Sequence, residues 1–347
     1  MRPSNPGNRA LAVGAQTGKQ LGSHRVATGV AIGVAALVAA ALLNRQLARA
    51  AERRNPPQGR FLTIDGVRLH YVERGEGQPL VLLHGNGSMI QDFAASGLLE
   101  AAARSYRVIV FDRPGYGYSQ RPRGTVWSPE AQADLIHAAL AALDATPAIV
   151  LGHSWGTLVA TALGLRHPES VRALVLASGY YYPTARLDLV PLSMPAVPLL
   201  GDIFRHTLAP LVGRLIWPAL MRKIFGPAEV PQKFVDGFPK GLALRPSQLR
   251  ASAAETALMV PEAFGMRAEY GALAMPVVIV AGALDRLIDT ERQSEELSRD
   301  IGHSLFRPIP GAGHMVHQTA MDAVMAAIDE AAAAATPGRQ AAAGPQA

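Results

Sequence analysis

Cysteine is absent from the 347 residues of this chain. Its absence excludes disulfide frameworks, a cysteine nucleophile and cysteine-ligated metal sites, and it leaves the redox compartment open. Charged residues are also scarce, at 17%, against 49% hydrophobic residues. This composition is typical of a globular chain that buries a large core, as one big domain or two ordinary ones.

Acidic residues are nearly missing from the first 60 positions, where nine of the 33 basic residues accompany a single acidic residue, Glu52. The remaining chain carries 24 basic and 26 acidic residues, which is a net charge of −2. The formal charge of +6 therefore belongs to the N-terminal segment. We predict no nucleic-acid partner, because the rest of the chain has no excess of positive charge to attract phosphates.

No charged residue occurs between Val26 and Leu43. As a helix, this segment would extend about 27 Å, which is close to the hydrocarbon thickness of a bilayer, about 30 Å. We predict an uncleaved transmembrane helix over residues 26–44, preceded by a basic tail (1–25) and followed by a linker (45–59). A cleaved secretory signal and an interfacial helix are the alternatives.

Arginine-bearing sequence flanks both ends of the predicted span, and it is denser on the C-terminal side, from Arg45 to Arg60. The positive-inside rule therefore favours a single-pass membrane protein whose folded domain is cytoplasmic. Gly29 and Gly33 have the spacing of a helix-pairing motif, through which the helix would self-associate in the membrane. Coincidence is the alternative, because this segment is rich in glycine and alanine throughout.

The pattern Gly-x-Ser-x-Gly surrounds Ser154, between an apolar run that predicts a buried strand and small apolar residues that predict a helix. A serine on such a sharp turn lies in strained backbone, and Gly152 and Gly156 are needed because side chains there would collide with neighbouring chain. The turn exposes the hydroxyl and aims the backbone N–H of Trp155 at the group that it attacks. We therefore predict that Ser154 is a nucleophile and Trp155 an oxyanion donor.

Strand and helix patterns alternate along most of the chain, stop after residue 179 and resume near residue 274. The intervening stretch is rich in proline and apolar helical segments and poor in charge. We predict an α/β fold, a doubly wound and mostly parallel sheet with an inserted helical cap. The predicted core comprises residues 60–179 and 274–335, the cap 180–273, and a disordered tail 336–347.

Two further residues follow predicted strands late in the chain, Asp285 and His314. A serine hydroxyl needs a base to remove its proton, and the histidine needs a carboxylate that fixes its tautomer. Both lie beyond the C-terminal ends of strands, on the edge where Ser154 projects. Asp289 and His317 are the alternatives, although Asp289 stands at a helix start, where an N-cap is expected.

The loop His84-Gly85-Asn86-Gly87 follows another buried strand and must turn tightly, which leaves backbone N–H groups unpaired. We predict that the N–H of Asn86 is the second oxyanion donor. Gly85, Tyr181 and Trp217 are predicted to line the substrate pocket, with hinge packing as the alternative for Tyr181. His84 and Asp112 are expected to be structural.

Five motifs carry a resemblance to a known family: LLHGNG, FDRPGYGYS, GHSWG, the Gly-x-x-Asp at Asp285 and the GAGH at His314. Together they resemble the α/β-hydrolase superfamily, from about Phe61 to Ala335. The resemblance implies a capped serine hydrolase with the chain order Ser-Asp-His and with neither a metal nor an organic cofactor. Asn86 and Trp155 also resemble the dehalogenase-like branch, where aspartate stands in place of Ser154.

These features predict a membrane-anchored serine hydrolase that cleaves a small apolar carboxylic ester through an acyl-enzyme, with the lipid bilayer as a second partner. An alkyl halide requires displacement by a carboxylate, which serine does not supply. Hydrolysis of a carbon–carbon bond, perhydrolysis and acyl transfer on the same triad are the alternatives. A non-catalytic binding module is a further one, although such modules commonly lack a triad member.

Overall fold

The computed structural model describes residues 7–185 and 189–336. One long helix, α1 (Gly7–Arg54), precedes an eight-stranded sheet. The strands are β1 (Arg60–Ile64), β2 (Val67–Arg74), β3 (Gln78–Leu83), β4 (Tyr106–Phe111), β5 (Ala148–His153), β6 (Val171–Ala177), β7 (Val277–Gly282) and β8 (Leu305–Ile309). They lie side by side in the order β1-β2-β4-β3-β5-β6-β7-β8.

The sheet begins as an antiparallel hairpin and continues as a parallel sheet. Asp65 and Gly66 form the turn between β1 and β2 with φ of 48° and 78°, the positive values that a tight hairpin turn needs. Strand β2 pairs antiparallel with β4, and β3 to β8 run parallel. The carboxyl ends of these parallel strands therefore share one edge, where Ser154, Asp285 and His314 lie.

Helices cover both faces of the sheet. Successive strand residues point to opposite faces, so Leu83 packs with α4 and α5 while Leu82 packs with α2 and α14. Burial on both faces explains why the parallel strands are apolar runs rather than alternating ones. The core helices are α2 (Ile90–Ser96), α3 (Leu98–Ala102), α4 (Pro129–Ala142), α5 (Trp155–Arg166), α12 (Glu296–Asp300, after a π-type turn Glu291–Glu295), α13 (Val316–Thr319) and α14 (Met321–Ala334).

Between β6 and β7 the chain leaves the sheet and forms a helical cap. Its helices are α6 (Leu189–Ser193), α7 (Leu200–His206), α8 (Ala209–Phe225), α9 (Gln232–Gly237), α10 (Lys240–Ala243) and α11 (Pro246–Met266). The predicted fold class, a doubly wound sheet with an inserted helical cap, is confirmed. The predicted C-terminal tail lies outside the described residues, except for Thr336.

Helix α1 differs from the prediction, because it continues to Arg54 where we expected a linker from residue 45. The reason is tertiary contact. Asn44 donates from Nδ2 to the carbonyl oxygen of Thr207, 2.6 Å away. Ala51 packs into a cluster with the cap residues, and Glu52 pairs with Arg245 at 2.9 Å. The end of α1 is thus a helix docked on the cap, and only residues 55–59 connect it to β1.

Exposed apolar residues occur both on α1 and on the cap. Among the described helices, the one segment long and apolar enough to cross a membrane is Ala27–Arg54, where the mean hydropathy reaches 2.0 and 6% of the apolar window is buried. On the cap, Leu199 is 78% exposed and Leu215 is 81% exposed. Other exposed apolar residues of this cap surface are Leu200, Ile203, Leu208, Val212, Ile216 and Leu220.

Candidate active site

Ser154 lies on the turn between β5 and α5, in the backbone conformation that the motif predicts. Its φ is 52° and its ψ is −121°, values that non-glycine residues rarely adopt. A Cβ on Gly152 would collide with the carbonyl oxygen of Gly156, and a Cβ on Gly156 would collide with that of Leu83. The two glycines therefore permit the close approach that holds the turn.

The structure brings Ser154, Asp285 and His314 together at the carboxyl edge of the sheet. His314 Nε2 lies 3.0 Å from Ser154 Oγ, and His314 Nδ1 lies 2.7 Å from Asp285 Oδ2. The other carboxylate oxygen accepts the backbone N–H groups of Leu287 and Ile288, at 2.7 and 3.0 Å. Because the carboxylate only accepts, Nδ1 carries the proton and Nε2 presents its lone pair to the serine hydroxyl.

The structure also separates the alternatives within this group. His317 Nε2 lies 3.0 Å from Asp92 Oδ1, in a fully buried pair behind His314. Asp289 accepts the N–H of Arg292 at 3.1 Å, which is the capping role expected at a helix start. Neither side chain takes the position that His314 or Asp285 occupies relative to Ser154.

Two chain segments border Ser154, the start of α5 and the loop after β3. Trp155 is the first residue of α5, so its N–H has no acceptor within the helix. Gly85 lies against Ser154, because a Cβ added there would be 3.1 Å from the Cβ of Ser154. Asn86 follows directly, in the loop after β3. An acyl group attached to Ser154 would lie between these two segments, and the oxyanion roles of Asn86 and Trp155 stay predictions.

A family model described as the alpha/beta hydrolase fold matches residues 78–320. The chain belongs to the α/β-hydrolase fold family. The family and its named relatives also make this chain an enzyme, a hydrolase.

Three similar proteins illustrate the range of this family. The chain is 37% identical over 144 residues to a 2-hydroxymuconate semialdehyde hydrolase from Pseudomonas sp. (strain CF600), covering 40% of this chain and 51%, about half, of that protein. It is 25% identical over 283 residues to haloalkane dehalogenase 2 from Mycobacterium tuberculosis, and the match covers 79% of this chain and 95% of that protein. A solved structure of a membrane phospholipase A, a bacterial virulence factor, has a TM-score of 0.60 at 21% identity. The match covers 90% of this chain and 99% of that one.

Asn86 and Trp155 are the two residues through which this sequence resembles the dehalogenase-like branch of the family. In this hydrolase the amide nitrogen of Asn86 donates to the cap helix α11, to Ser252 O at 3.2 Å and to Thr256 Oγ1 at 3.0 Å. In the described part of the chain, the buried indole N–H of Trp155 has no acceptor. The amide therefore ties the loop of residues 84–87 to the cap instead of pointing freely into a halide site. We call residues 84–87 the oxyanion loop, after the donor predicted at Asn86.

His84 and Asp112 are structural, as expected. His84 Nδ1 lies 2.8 Å from the Gly85 carbonyl and Nε2 accepts the N–H of Arg113 at 3.0 Å, and burial together with Arg113 lowers the pKa of His84 to about 4. Asp112 accepts from His70 at 2.6 Å and from the N–H of Ile90 at 3.0 Å. Although burial opposes ionisation, these hydrogen bonds keep the pKa of Asp112 below its ordinary value.

A buried ion pair between core and cap escaped the sequence analysis. Arg113, after β4, pairs with Glu255 of α11 at 2.5 and 3.0 Å, and both side chains are fully buried. Arg113 also donates to the carbonyl oxygens of His84 and Gly85, at 2.7 and 3.1 Å. The cap thereby holds the backbone of the oxyanion loop. The sequence feature that could have indicated this buried pair is Glu255 itself, which is the one charged residue in the run 251–260.

Tyr116 extends this network. Its hydroxyl donates to Glu255 at 2.7 Å and lies 3.0 Å from Asn86 Oδ1. Burial, followed by the charge of Glu255, raises the pKa of Tyr116 well above its ordinary value, so the hydroxyl keeps its proton. We call Arg113, Glu255 and Tyr116 the cap clamp. The carboxylate of Glu255 also accepts a hydrogen bond from the side-chain amide of Gln132, at 3.1 Å.

A second feature that the sequence does not predict lies next to His314. The Nε2 of His153 donates to the carbonyl oxygen of His314 at 3.1 Å. Burial, followed by the neighbouring rings of His317 and His314, holds the pKa of His153 well below its ordinary value. A neutral His153 therefore anchors the main chain of His314 next to Ser154.

The remaining predicted pocket residues lie in two different places. Tyr181 is fully buried in the core, with its ring 6.1 Å from that of Tyr270 in an edge-on arrangement. Trp217 lies on α8 of the cap, stacked on Phe238 at 6.0 Å, beside the cluster that contains Met315. Packing accounts for the position of Tyr181, and the substrate contacts of Gly85, Tyr181 and Trp217 stay predictions.

Proposed function

We propose that this hydrolase cleaves an apolar carboxylic ester through an acyl-enzyme on Ser154. The observation that carries the proposal is the geometry of one imidazole, which lies 3.0 Å from the hydroxyl of Ser154 and 2.7 Å from the carboxylate of Asp285. A neutral histidine held in that tautomer is the base that a serine nucleophile requires.

The chemical steps follow from these positions. Ser154 Oγ attacks the ester carbonyl while His314 Nε2 takes its proton, and Asp285 stabilises the imidazolium that forms. The N–H groups of Asn86 and Trp155 stabilise the negative charge that develops on the carbonyl oxygen. His314 then protonates the departing alcohol, activates water and releases the acid.

Replacement of the nucleophile tests this mechanism. Ser154→Ala should lower kcat on a short-chain ester by about a millionfold, and an organophosphonate probe should label Ser154 in the wild-type protein only. Ser304→Ala, a serine away from this edge of the sheet, serves as the matched control and should react normally. Wild-type turnover by Ser154→Ala, or labelling of another residue, would contradict the proposal.

Hydrolysis of a carbon–carbon bond is the second candidate, because the 2-hydroxymuconate semialdehyde hydrolase is among the named relatives. The substrate in that enzyme's name, 2-hydroxymuconate semialdehyde, carries a carboxylate, which needs a cation in the pocket. The buried arginine nearest the oxyanion loop, Arg113, has its charge taken up by Glu255, which favours an uncharged ester. Rate measurements on a short-chain ester and on 2-hydroxymuconate semialdehyde, made in parallel, separate the two activities.

We also propose that α1 anchors the enzyme in a membrane and that its substrate is a lipid ester reached from the bilayer. The apolar segment of α1 and the exposed apolar cap surface support this proposal, because they adjoin where Asn44 bonds to Thr207. Large exposed apolar patches mark contact with lipid or protein. Since a membrane phospholipase A shares the fold, phospholipids are the ester class to test first.

The finer membrane predictions concern sidedness and pairing. The arginines after the apolar segment favour a cytoplasmic catalytic domain. A Cβ on Gly29 or Gly33 would meet no atom within 4 Å, so this side of α1 is open to a second helix. Self-association through these glycines therefore stays part of the proposal.

A further inference from the structure

Two histidines and a glutamate converge far from the serine. His137 lies on α4, His167 follows the last residue of α5, and Glu169 lies in the 3-10 turn Pro168–Ser170 that leads into β6. Helix α5 has 12 residues and begins next to Ser154, so its far end is about 18 Å away. The group therefore belongs to the opposite edge of the sheet and takes no part in the ester chemistry.

The hydrogen bonds of His167 determine which of its nitrogens carries the proton. Its Nε2 lies 2.8 Å from Asp134 Oδ1, and Arg166 holds the same carboxylate through Nε and Nη2, both at 2.9 Å. An ionised carboxylate only accepts, so Nε2 is the protonated nitrogen of the neutral ring. The lone pair is then on Nδ1, which faces Glu169 Oε1 at 3.7 Å.

His137 presents a second nitrogen to the same oxygen. Its Nδ1 lies 3.8 Å from Glu169 Oε1 and 2.7 Å from Ser170 Oγ, whose hydroxyl can donate to it. The two imidazoles stack with centroids 3.9 Å apart and planes 8° from parallel. Two stacked imidazolium rings would repel each other, which favours neutral rings. The two Nδ1 atoms and the carboxylate oxygen lie within 4.8 Å of one another. A cation bound among them requires the Ser170 hydroxyl to release His137 Nδ1 and the rings to tilt out of the stack, because each lone pair lies in its ring plane.

We propose that His137, His167 and Glu169 bind a divalent transition-metal ion of the Zn²⁺ class. Tetrahedral zinc with bonds of about 2.1 Å separates its ligand atoms by about 3.4 Å. The observed separations of 3.7 and 3.8 Å, with all donor atoms within 4.8 Å, approach that value. The contact from His167 to Asp134 has the form of a carboxylate–histidine–metal arrangement.

The position of the site defines what the ion does. The side chains of His137, His167 and Glu169 are 33%, 21% and 65% exposed, so an ion reaches them from solvent and keeps water at its fourth position. The ligands come from α4, from the end of α5 and from the turn before β6. A bound ion therefore cross-links three segments of the core and stabilises the folded state.

Calorimetry with Zn²⁺ on the full-length chain in neutral detergent, without a histidine tag and after treatment with EDTA, tests the proposal. We expect one ion per chain and, at a hundredfold excess over Kd, a rise in Tm of about 3 to 6 °C. Co²⁺ in place of Zn²⁺ should give visible absorption bands of tetrahedral intensity. Turnover of a short-chain ester should be unchanged by either ion.

Matched variants assign the site. His137→Ala and Glu169→Gln should each weaken Zn²⁺ binding at least about tenfold, and Asp134→Asn, which leaves all three ligands in place, should weaken it by about tenfold. His206→Ala removes an exposed histidine near Arg205 and should leave binding unchanged. Wild-type protein that binds no Zn²⁺, or equal binding by His137→Ala and Glu169→Gln, overturns the proposal. Equal binding would assign the ion to another group, such as Asp92, His153 and His317.

Discussion

At the scale of single residues, strained and buried groups hold the reactive side chains in position. Ser154 has a positive φ, which costs about 1 to 3 kcal/mol in a residue with a side chain. The conformation persists because Gly152 and Gly156 let β5, α5 and the end of β3 approach closely. His153 then anchors the carbonyl of His314. The residues next to the reactive ones therefore determine where the hydroxyl and the imidazole meet.

One carboxyl group makes the stability of the fold depend on pH near neutrality. Glu262 of α11 faces Glu130 of α4, and burial together with Glu130 raises the pKa of Glu262 to about 7 from an ordinary value of 4.5. A carboxyl group whose folded-state pKa is raised stabilises the fold below its unfolded pKa. That stability is lost as the pH rises through the folded pKa.

We predict that Tm falls as the pH rises from about 5 to about 8 and that Glu262→Gln flattens this dependence. Scanning calorimetry across this range measures it. Glu291→Gln, which changes a glutamate outside the cap, should keep the wild-type slope. An unchanged slope in Glu262→Gln would assign the pH dependence to other groups.

At the scale of elements, the cap helix α11 is part of the active-site framework. Glu255 neutralises Arg113, whose guanidinium also holds the backbone carbonyls of His84 and Gly85. Asn86 bonds to the same helix through its amide. A shift of α11 would therefore move the oxyanion loop. The cap clamp thus positions this loop in addition to joining the cap to the core.

Glu255→Gln should test this role of the clamp. Removal of one partner leaves Arg113 buried without its counter-charge, so the free energy of unfolding should fall by about 3 kcal/mol in urea titrations. Because the oxyanion loop shifts, kcat on a short-chain ester should fall by about 10- to 100-fold while KM changes little.

Glu262→Gln is the matched control, because it makes the same chemical change on the same helix without touching Arg113. It should keep the wild-type kcat. The rate of phosphonate labelling at Ser154 gives a second readout, since labelling also depends on the oxyanion donors. Loss of stability with unchanged kcat and labelling would show that the clamp only holds the cap in place.

At the scale of the whole molecule, α1 is both the proposed anchor and a structural part of the catalytic domain. Its apolar segment is exposed, whereas Asn44, Ala51 and Glu52 contact the cap. On the cap, Leu199 and Leu215 are also exposed apolar residues. An anchor that packs rigidly against the cap would orient the cap toward the bilayer rather than tether the enzyme loosely.

Two truncations separate anchoring from docking. Deletion of residues 1–38 removes the exposed segment and should leave turnover of short-chain esters unchanged, while hydrolysis of phospholipid vesicles falls more than about tenfold. Deletion of residues 1–55 also removes the docked turns and should lower Tm on calorimetry. Full-length protein with Leu199→Asp and Leu215→Asp should lose vesicle hydrolysis alone. Equal vesicle hydrolysis by all proteins would contradict the membrane proposal.

The sequence alone determined the features that depend on neighbours in the chain. Apolar runs specify the strands, Ser128 before Pro129 specifies the start of α4, and the glycines around Ser154 specify the sharp turn. These patterns express side-chain periodicity and turn chemistry, which act within a few residues. For the same reason, the places of Asp285 and His314 just after strands predicted which edge of the sheet they share.

Only the tertiary structure decided which distant residues meet. Arg113 and Glu255 are 142 positions apart, and His137 and Glu169 come from different elements. The linker expected from residue 45 became helix because contacts with Thr207 and Arg245 stabilise those turns. Such pairings depend on how cap and core pack, because the free energy of a buried charge or a docked helix comes from partners that the local sequence does not contain.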